Sequence, residues 1–485
     1  MALGQLPSEA TGPAALERAV VAVWSDVLGT EVGVTDEFGS LCADLPGAVR
    51  VVALLNQLLG TDLSVMRLAA AGTPHQLAAS LHAEGVTAPR LGTTPPSRGD
   101  NARQHFWETT YRFANPNQPQ RFNTAGWVDS GSLTSLPEPH MREWVLATVS
   151  RVRELSPRRV LDLGCGAGLI LFRLAPWCDR YVGVDFSEEA IRQVRRALVA
   201  HPTPGPVELF VADAVRGTEL ATGTYDVVLL NSVVQYFPDL MYLTIVLAGA
   251  VRRTADGGSV FLGDLRHRDL HHAMHVSAAA RADDTPVEQV RLAVEHAMSA
   301  DAPLLVAPAD LPRLASTIDA GLTVTPLVRR GVHPTEMNRF RYDALLTVDN
   351  RPLPRAAREV RWRPEAPDPL PRLLGSAGET LVLRTVPDAR TVAAVRLAAA
   401  VATAPPDTTI GELRRGLGTI AAVDPEQAWV LGHDAGFGVA IAPGERPGHV
   451  DIAFWRGQDD RAAARLLAMP CARHRPMFDA QDGST

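Results

Sequence analysis

The chain of 485 residues is too long for one ordinary domain, so two or three domains are expected. Its hydrophobic fraction of 46% and charged fraction of 21% are typical of a globular protein with a large core. The net charge of −7 argues against nucleic acid or an anionic membrane as a partner, and the absence of lysine excludes Schiff-base and P-loop lysine chemistry.

Four cysteines, Cys42, Cys165, Cys178 and Cys471, lie far apart without C-x-x-C spacing, so neither a disulfide framework nor a zinc site is expected. The N-terminus lacks a basic region followed by an apolar stretch, and no apolar run approaches the ~20 residues that cross a bilayer. These features predict a soluble cytoplasmic protein.

Residues 1–85 are predicted to form a small helical bundle. Apolar positions recur at helical spacing in ALERAVVAVWSDVLG and AVRVVALLNQLLG, and a third helix is expected at PHQLAASLHAEG. Residues 86–104 are rich in Pro, Gly, Thr and Ser, which indicates a linker.

Residues 105–350 alternate strand-like and helix-like segments. Buried strands are expected at RRVLDLG, RYVGVDF, VELFVAD, YDVVLLN and SVFLGDL, and two more at TVTPLVRRG and RFRYDALLTVD. This alternation predicts a mainly parallel sheet with helices on both faces. Residues 351–485 show a smaller α/β pattern, with strands at ETLVLRTV, FGVAIAP and HVDIAFW and helices at TVAAVRLAAAVA and TIGELRRGL.

The strongest chemical signal is VLDLGCGAG at residues 160–168, where an apolar strand leads into a glycine-rich turn and then a helix. Gly164, Gly166 and Gly168 lack a Cβ, so the backbone can turn sharply and approach a ligand closely. Asp162, at the end of the strand, is placed to meet a cationic amine.

Carboxylates also end the next two predicted strands. Asp185, followed by Phe186, can accept both hydroxyls of a ribose. Asp213, with Ala214 after it, can receive an adenine amino group. The G-x-G-x-G spacing lacks the last glycine of a pyrophosphate-binding turn, although a dinucleotide site and a purely structural turn remain alternatives.

This arrangement resembles the class I Rossmann-like methyltransferases, whose glycine loop holds the methionine end of S-adenosylmethionine. The resemblance implies S-adenosylmethionine as the cofactor and assigns to it the residues Asp162, Gly164, Gly166, Gly168, Asp185, Phe186, Asp213, Ala214 and Asn231.

Four strings on the substrate side, FNTAGWVDSGSLTSLPEPHMREWV, LNSVVQYFPDLMYL, VFLGDLR and TEMNRFRYD, are similar to the embedded methyltransferase domains of nonribosomal peptide synthetases, mostly N-methyltransferases. The resemblance covers residues 105–350. It implies a substrate site around Asn231, Gln235, Tyr236, Asp264, Arg266 and Arg341. Asn231 or Asp264 would aim the acceptor amine or take its proton.

The histidines of GDLRHRDLHHAMH are candidates for metal ligands and for a general base. His271 and His275 have the i, i+4 spacing of metal ligands, but no H-E-x-x-H pattern accompanies them, so no metal is expected. A carbon acceptor would need a histidine–carboxylate base, and His275 is the candidate.

The segment GVTDEFGSLCADLPGAVRVVALL resembles a peptidyl or acyl carrier domain. Leu45 and Pro46 occupy the position of the phosphopantetheine-bearing serine and the residue after it, so a degenerate carrier without an arm is implied. It is either a docking platform or an evolutionary remnant.

Together these features predict a free-standing S-adenosylmethionine-dependent methyltransferase with a carrier-like N-terminal bundle and a small C-terminal α/β subdomain. The expected substrate is an aminoacyl or peptidyl group on a separate carrier, so the expected partners are carrier and adenylation proteins of a nonribosomal peptide synthetase. The alternatives are an O- or C-methyltransferase of a released small molecule and a non-catalytic S-adenosylmethionine-binding adaptor.

Overall fold

The computed structural model describes residues 13–28, 30–41, 65–86, 120–127, 135–300, 303–319, 321–348, 358–363 and 370–457, with some positions between 48 and 63 and between 107 and 112, and residues 129 and 467. The predicted linker lies outside the described residues except for Val86, and so do Leu45 and Pro46. Within the described part of the chain, the structure has no helix long and apolar enough to span a bilayer.

The described N-terminal helices surround a core of their own. They are α1 (Pro13–Leu28), α2 (Phe38–Leu41), α3 (Val65–Ala71) and α4 (Pro74–Ala83). Leu16 and Trp24 of α1 pack with Phe38 and Leu77, and the ring centroids of Trp24 and Phe38 lie 4.7 Å apart. Thr73 precedes α4 as its N-cap, and its hydroxyl accepts a hydrogen bond from the backbone N–H of Gln76.

A seven-stranded sheet forms the centre of the molecule. Its strands are β1 (Arg159–Leu163), β2 (Arg180–Asp185), β3 (Val207–Val211), β4 (Tyr225–Asn231), β5 (Thr254–Arg266), β6 (Leu322–Val328) and β7 (Arg341–Val348). Their order is β3-β2-β1-β4-β5-β7-β6. Strands β1 to β5 pair in parallel, whereas β7 lies antiparallel to β5 and β6. The mainly parallel sheet predicted from the sequence is confirmed.

Helices connect the strands of this sheet, and several of them cover its two faces. They are α5 (Glu138–Glu154), α6 (Leu171–Leu174), α7 (Glu188–Ala200), α8 (Ala214–Leu220), α9 (Leu240–Arg253), α10 (Arg268–Ala279), α11 (Val287–Ala300), α12 (Asp310–Ile318) and α13 (Glu336–Arg339). Because side chains alternate along a strand, Leu161 packs in a cluster with Leu243 of α9, while the adjacent Val160 packs in a second cluster with Val145 of α5.

The strand order fixes where a ligand can bind. The chain leaves β1 toward β2 and β3 on one side, and returns to β4 and β5 on the other. In an open α/β sheet, ligands bind at the carboxyl ends of the strands next to such a reversal. The glycine loop follows β1 and therefore lies at this position.

A four-stranded sheet lies in the C-terminal part. Its strands are β8 (Arg358–Arg361), β9 (Thr380–Pro387), β10 (Gly438–Pro443) and β11 (His449–Trp455), in the order β10-β11-β9-β8. The helices here are α14 (Leu370–Gly375), α15 (Val392–Thr403), α16 (Ile410–Leu417) and α17 (Pro425–Asp434). Glu426 of α17 joins this part to the central one, because its carboxylate accepts hydrogen bonds from Arg330 and from the backbone N–H of Gly331.

Candidate active site

The glycine loop is tightly enclosed. Gly164 has a φ of 88°, and its N–H donates to the Val184 carbonyl at 2.7 Å. A Cβ on Gly164 would overlap the side chain of Val233, and a Cβ on Gly166 would lie 2.8 Å from the Tyr111 hydroxyl. The backbone conformation and the close neighbours both require glycine here.

A cavity of about 530 Å³ extends from this loop across the carboxyl ends of the strands. We call the part around Gly164, Asp185 and Asp213 the cofactor end, and the part around Arg266 and Arg341 the acceptor end. The predicted cofactor residues that line the cavity are Asp162, Gly164, Gly166, Asp185, Phe186, Asp213, Ala214 and Asn231. Gly168 was predicted to bind the cofactor but does not line the cavity. A Cβ at this position would point into the core and contact Phe172 and Val194.

Asp185 is held in place by backbone donors at the end of β2. Its carboxylate accepts hydrogen bonds from the N–H of Gly166 at 2.8 Å and of Ser187 at 2.9 Å. Burial raises the pKa of Asp185 to about 6, although both backbone donors favour the ionised form. Ser187 then caps α7 through its hydroxyl. The start of the helix thus fixes the carboxylate over the glycine loop.

Asp162 lies at the same end and is 2% exposed. One carboxylate oxygen accepts a hydrogen bond from the Tyr181 hydroxyl at 2.7 Å. Burial raises the pKa of Asp162 to about 7, against the lowering effect of this hydrogen bond. A cationic group placed against Asp162 would therefore stabilise its ionised form.

Asp213 has a structural task besides lining the cavity. Its carboxylate caps α8 by accepting the N–H of Arg216 at 2.9 Å, and the Tyr242 hydroxyl lies 3.4 Å from the same oxygen. Ala214 begins the helix directly after it. This turn places backbone groups of the β3 end at the cavity wall.

The acceptor end brings together side chains from β4, β5 and β7. Asn231, Tyr236, Arg266 and Arg341 all line the cavity there. Asn231 is 8% exposed, and its Oδ1 has no hydrogen-bond partner among the described residues. This oxygen lies against Gly263 of β5, and a buried carbonyl oxygen left without a donor is costly. Gln235 was also predicted here but does not line the cavity, and its Nε2 donates to the Ser232 carbonyl instead.

Asp264 differs from the prediction that it touches substrate. It is fully buried and does not line the cavity. Its carboxylate accepts hydrogen bonds from Arg341 at 2.8 Å, from the Ser232 hydroxyl at 2.5 Å and from the Trp144 indole at 3.3 Å. Burial alone would raise the pKa of Asp264, but the arginines Arg341 and Arg329 outweigh it and lower the pKa. Asp264 therefore lies behind Arg341 and holds its guanidinium group in place.

Behind Asp264 the buried charges continue in a connected network. Asp343 binds Arg151 and Arg329, and Arg329 lies 3.6 Å from Asp264. On the cavity side, Arg341 also pairs with Glu336. Three arginines and three carboxylates therefore balance one another, which makes their burial tolerable.

His275 is not at the cavity, contrary to its proposed role as a base. It is 3% exposed within α10, and its Nε2 lies 3.2 Å from the Nε2 of His271. His267 caps the same helix by accepting the N–H of Asp269. The sequence could not show this, because i, i+4 spacing places both rings on one helix face without telling which face is buried.

Sequence reasoning missed several aromatic residues of the site. Trp107 and Tyr111 line the cofactor end, and Trp127 and Trp144 line the acceptor end with ring centroids 4.3 Å apart. Leu136 and Met337 continue this apolar wall, whereas Glu336 adds a charged group. The chain before β1 is rich in aromatic residues, which could have indicated that some of them line the site. The sequence alone does not show whether an aromatic side chain lines a cavity or packs in the core.

S-adenosylmethionine fits the cofactor end. The ligand carries an ammonium group, two ribose hydroxyls and a flat adenine, and this end offers two buried carboxylates and an apolar wall that includes Phe186 and Val211. Both carboxylates have raised pKa values because they are buried, and donors from a ligand would relieve that cost.

Comparison with known proteins agrees with this site. Residues 160–258 match the family model described as a methyltransferase domain. The strand order, the glycine loop and this match define a class I S-adenosylmethionine-dependent methyltransferase domain, with S-adenosylmethionine as its cofactor.

The chain is also similar to parts of much longer proteins. It is 36% identical over 281 residues to the chondramide synthase of Chondromyces crocatus, which covers 56% of this chain and 7% of that protein. It is 31% identical over 241 residues to the nonribosomal peptide synthetase asqK of Emericella nidulans, which covers 49% of this chain and 9% of that protein. The N-methyltransferase NodS of Bradyrhizobium japonicum aligns with 43% of this chain and 95% of its own, at 17% identity and a TM-score of 0.29.

Proposed function

We propose that this domain methylates the α-amino group of an aminoacyl or peptidyl substrate that a carrier protein holds as a thioester. The observation that carries the proposal is the Asn231 side chain, which lines the cavity and whose buried Oδ1 lies against Gly263 with no donor among the described residues. It can accept an N–H of the amine and leave the nitrogen lone pair directed toward the cofactor end.

The cofactor end would hold S-adenosylmethionine through three carboxylates. Asp185 would accept the ribose hydroxyls, Asp162 would meet the ammonium group, and Asp213 with Ala214 would receive the adenine amino group. Gly164 and Gly166 would let the backbone approach the methionine part. When bound, S-adenosylmethionine supplies a methyl group on a positively charged sulfur.

Most of the acceleration would come from alignment of the amine with this methyl group. The amine must be neutral to react. Because an α-amino group has a pKa of about 8 and a thioester lowers it further, no strong base is required. Tyr236 would pack against the acceptor, and Arg266 and Arg341 would bind the acyl oxygen.

The charges at the acceptor end favour an amine over an oxygen or carbon acceptor, which would need a base. Arg266 and Arg341 are cations, burial raises the pKa of Tyr236 and keeps it neutral, and Glu336 is paired with Arg341. Asp264, the predicted proton acceptor, lies behind the cavity wall, where its carboxylate accepts a hydrogen bond from Arg341. The neutral amine therefore suits the described groups best.

The assembly-line part of the proposal is supported by two observations. The relatives named above include a nonribosomal peptide synthetase. The acceptor end also has an apolar wall of Trp127, Leu136, Trp144 and Met337, which suits the apolar side chain of an aminoacyl group.

We further propose that residues 1–85 are a degenerate carrier unit, since Leu45 has no hydroxyl to bear an arm. Residues 105–350 would be the methyltransferase core and residues 351–485 a C-terminal subdomain. The substrate would then arrive on the carrier of another protein.

Intact-protein mass spectrometry tests the function directly. Carrier proteins loaded with leucine or another apolar amino acid are incubated with the full chain and S-adenosylmethionine. We expect a gain of about 14 Da on the carrier-bound amine and none on the free amino acid, since the acyl group positions the substrate.

The Asn231→Ala variant supplies the matched control. It should fold normally and transfer methyl groups slowly. Methylation of a released small molecule, with no transfer to any loaded carrier, would contradict the proposal.

A further inference from the structure

Trp107 belongs to two parts of the molecule at once. It packs against the apolar core of the N-terminal helices, and it lines the cofactor end of the cavity. Its ring is stacked on Tyr111 at a centroid distance of 5.4 Å and lies edge-on to Tyr236 at 5.5 Å. One indole therefore connects the helical core at residues 13–83 with the wall of the catalytic cavity.

The neighbours of Trp107 are fastened to the structures that hold the cofactor residues. The carboxylate of Glu108 accepts the backbone N–H groups of Glu188 and Glu189, at 2.5 and 3.0 Å, in the first turn of α7. That turn begins three residues after Asp185. A negative side chain at a helix start also interacts favourably with the helix dipole.

Tyr111 completes the cover over the glycine loop. Its carbonyl accepts a hydrogen bond from Gln193 of α7 at 2.5 Å, and its hydroxyl lies beside Gly166. On the other side, Gly126 leaves the space that Trp107 occupies, because a Cβ there would lie 2.7 Å from the indole ring. The core side thus anchors the backbone at Tyr111 and leaves the space for the Trp107 ring, whose other contact is the core of the N-terminal helices.

The N-terminal helices contact the core at a second point. The Ser135 hydroxyl lies 3.4 Å from the Met66 sulfur of α3, one residue before Leu136 of the cavity wall. Two contacts, at Trp107 and at Ser135, therefore join these helices to segments that line the cavity.

We propose that the N-terminal helices are a working part of the cofactor site: they hold Trp107 at the cavity and, through its stacking, Tyr111 over the glycine loop, so that Trp107 is a positioning residue for S-adenosylmethionine. This role is independent of which acceptor is methylated. It also gives residues 13–83 a function that needs no attachment serine.

The proposal has a thermodynamic consequence that can be measured in the unmodified chain. If the helices stabilise the cofactor-binding conformation, cofactor binding must stabilise the helices by the same free energy. If the N-terminal helices only lie next to the cofactor site and are not coupled to it, cofactor binding would not change their stability. Hydrogen exchange detects this difference, because local opening of a helix becomes rarer when its contacts are strengthened.

Hydrogen exchange of the full-length protein, with and without S-adenosylhomocysteine, is therefore the first test. We expect slower exchange in peptides from α1, α3 and α4, in addition to the glycine loop. Helix α14, in the C-terminal part, is the internal control and should not change. Protection of the glycine loop without any change in the N-terminal helices would overturn the proposal.

Calorimetric titration with S-adenosylhomocysteine tests Trp107 itself. Trp107→Ala should weaken binding about tenfold, in the range of usual coupling energies, and Trp107→Phe should restore part of it. In kinetics, the alanine variant should raise the KM for S-adenosylmethionine more than it lowers kcat. Trp177→Ala is the matched control, since that indole is 57% exposed and does not line the cavity.

Normal binding by Trp107→Ala would overturn the positioning role. If this variant does not fold, the exchange experiment on the unmodified chain decides the question. Failure of every loaded carrier to accept a methyl group would contradict the proposed function only, and would leave these binding results unchanged.

Discussion

Asp264 occupies a backbone conformation that few residues adopt. Its φ is 62°, at a point where the pairing register between β5 and β7 shifts. Aspartate tolerates the left-handed region better than most residues, and here the Asp264 N–H donates to Asp343 at 2.9 Å. The bulge turns the carboxylate behind the cavity wall, where it holds Arg341.

Replacement of Asp264 by asparagine should therefore separate stability from cofactor binding. Loss of its charge leaves Arg341 and Arg329 under-compensated, so we expect about 3 kcal/mol less stability in urea unfolding and a higher KM for the acceptor. Affinity for S-adenosylhomocysteine should stay the same. Asp451→Asn, which disrupts a buried pair with Arg384 in the C-terminal sheet, should cost stability without changing the KM. Equal KM effects from both variants would contradict the positioning role.

Asp185 makes a prediction about pH. Its pKa is raised to about 6 by burial, so the carboxylate gains a proton as the pH falls through that value. In the proposed site the ionised form would accept the ribose hydroxyls, so affinity for S-adenosylhomocysteine should decrease as the pH falls through about 6. In the protein without ligand the sign is opposite: the raised pKa favours the protonated folded state, so this group's contribution to stability is lost as the pH rises from about 4 to above 6.

Calorimetry of Asp185→Asn checks the same residue. We expect binding roughly hundredfold weaker, since two hydrogen bonds to a charged group are worth about 3 kcal/mol together. The pH dependence near 6 should disappear. Asp179→Asn, at the exposed opposite end of the sheet, should behave like the unmodified protein. An unchanged affinity in Asp185→Asn would sink the assignment of the ribose site.

At the scale of elements, the glycine loop shows how a turn depends on its neighbours. Gly164→Ala adds a methyl group at a φ of 88° and against Val233, so we expect a loss of at least about 2 kcal/mol and of cofactor binding. Gly223→Ala has a similar φ of 78° but only a side-chain nitrogen 3.7 Å away, so it isolates the backbone strain. If Gly164→Ala and Gly223→Ala lost the same amount of thermal stability and of cofactor affinity, the contact with Val233 would be unimportant.

The strands of the central sheet were predictable because each is a short apolar run next to a turn. RYVGVDF, for example, contains β2, and the carboxylate at its end lies at the cavity as predicted. Strand β8 gave no such signal, since Arg358–Arg361 is mostly exposed and charged. The sequence placed Asp264 at a strand end correctly, but the direction of its side chain depends on a bulge that no local pattern reveals. Trp107 and Trp144 were missed because their position depends on long-range packing.

At the scale of the whole molecule, the C-terminal part braces the same cavity through residues 329–331. The backbone carbonyls of Arg329 and Gly331 each accept a hydrogen bond from Arg390, at 2.7 Å, while Glu426 binds Arg330 and the N–H of Gly331. The side chain of Arg329 in turn belongs to the buried network behind Arg341. A connected set of contacts thus leads from the second sheet to the acceptor end.

Glu426→Gln tests this connection. We expect only about 1 kcal/mol less stability, because Arg330 is 40% exposed and solvent screens the pair, but a higher KM for the acceptor and faster hydrogen exchange at residues 329–331. Glu208→Gln is the control, since it removes a comparable arginine pair at the far edge of the central sheet. No change in exchange at 329–331 would show that the second sheet does not brace the site.

The contact of Trp107 with the N-terminal core has a practical consequence for grafting. A methyltransferase cut just before residue 107 and fused to a foreign protein would leave the indole without the apolar core of the N-terminal helices. The foreign segment placed before residue 107 would then tune cofactor affinity, even though it carries no residue of the active site. Fusion points upstream of α1 would carry the native surface along, so the boundary of the transplantable unit is set by one tryptophan rather than by the sheet.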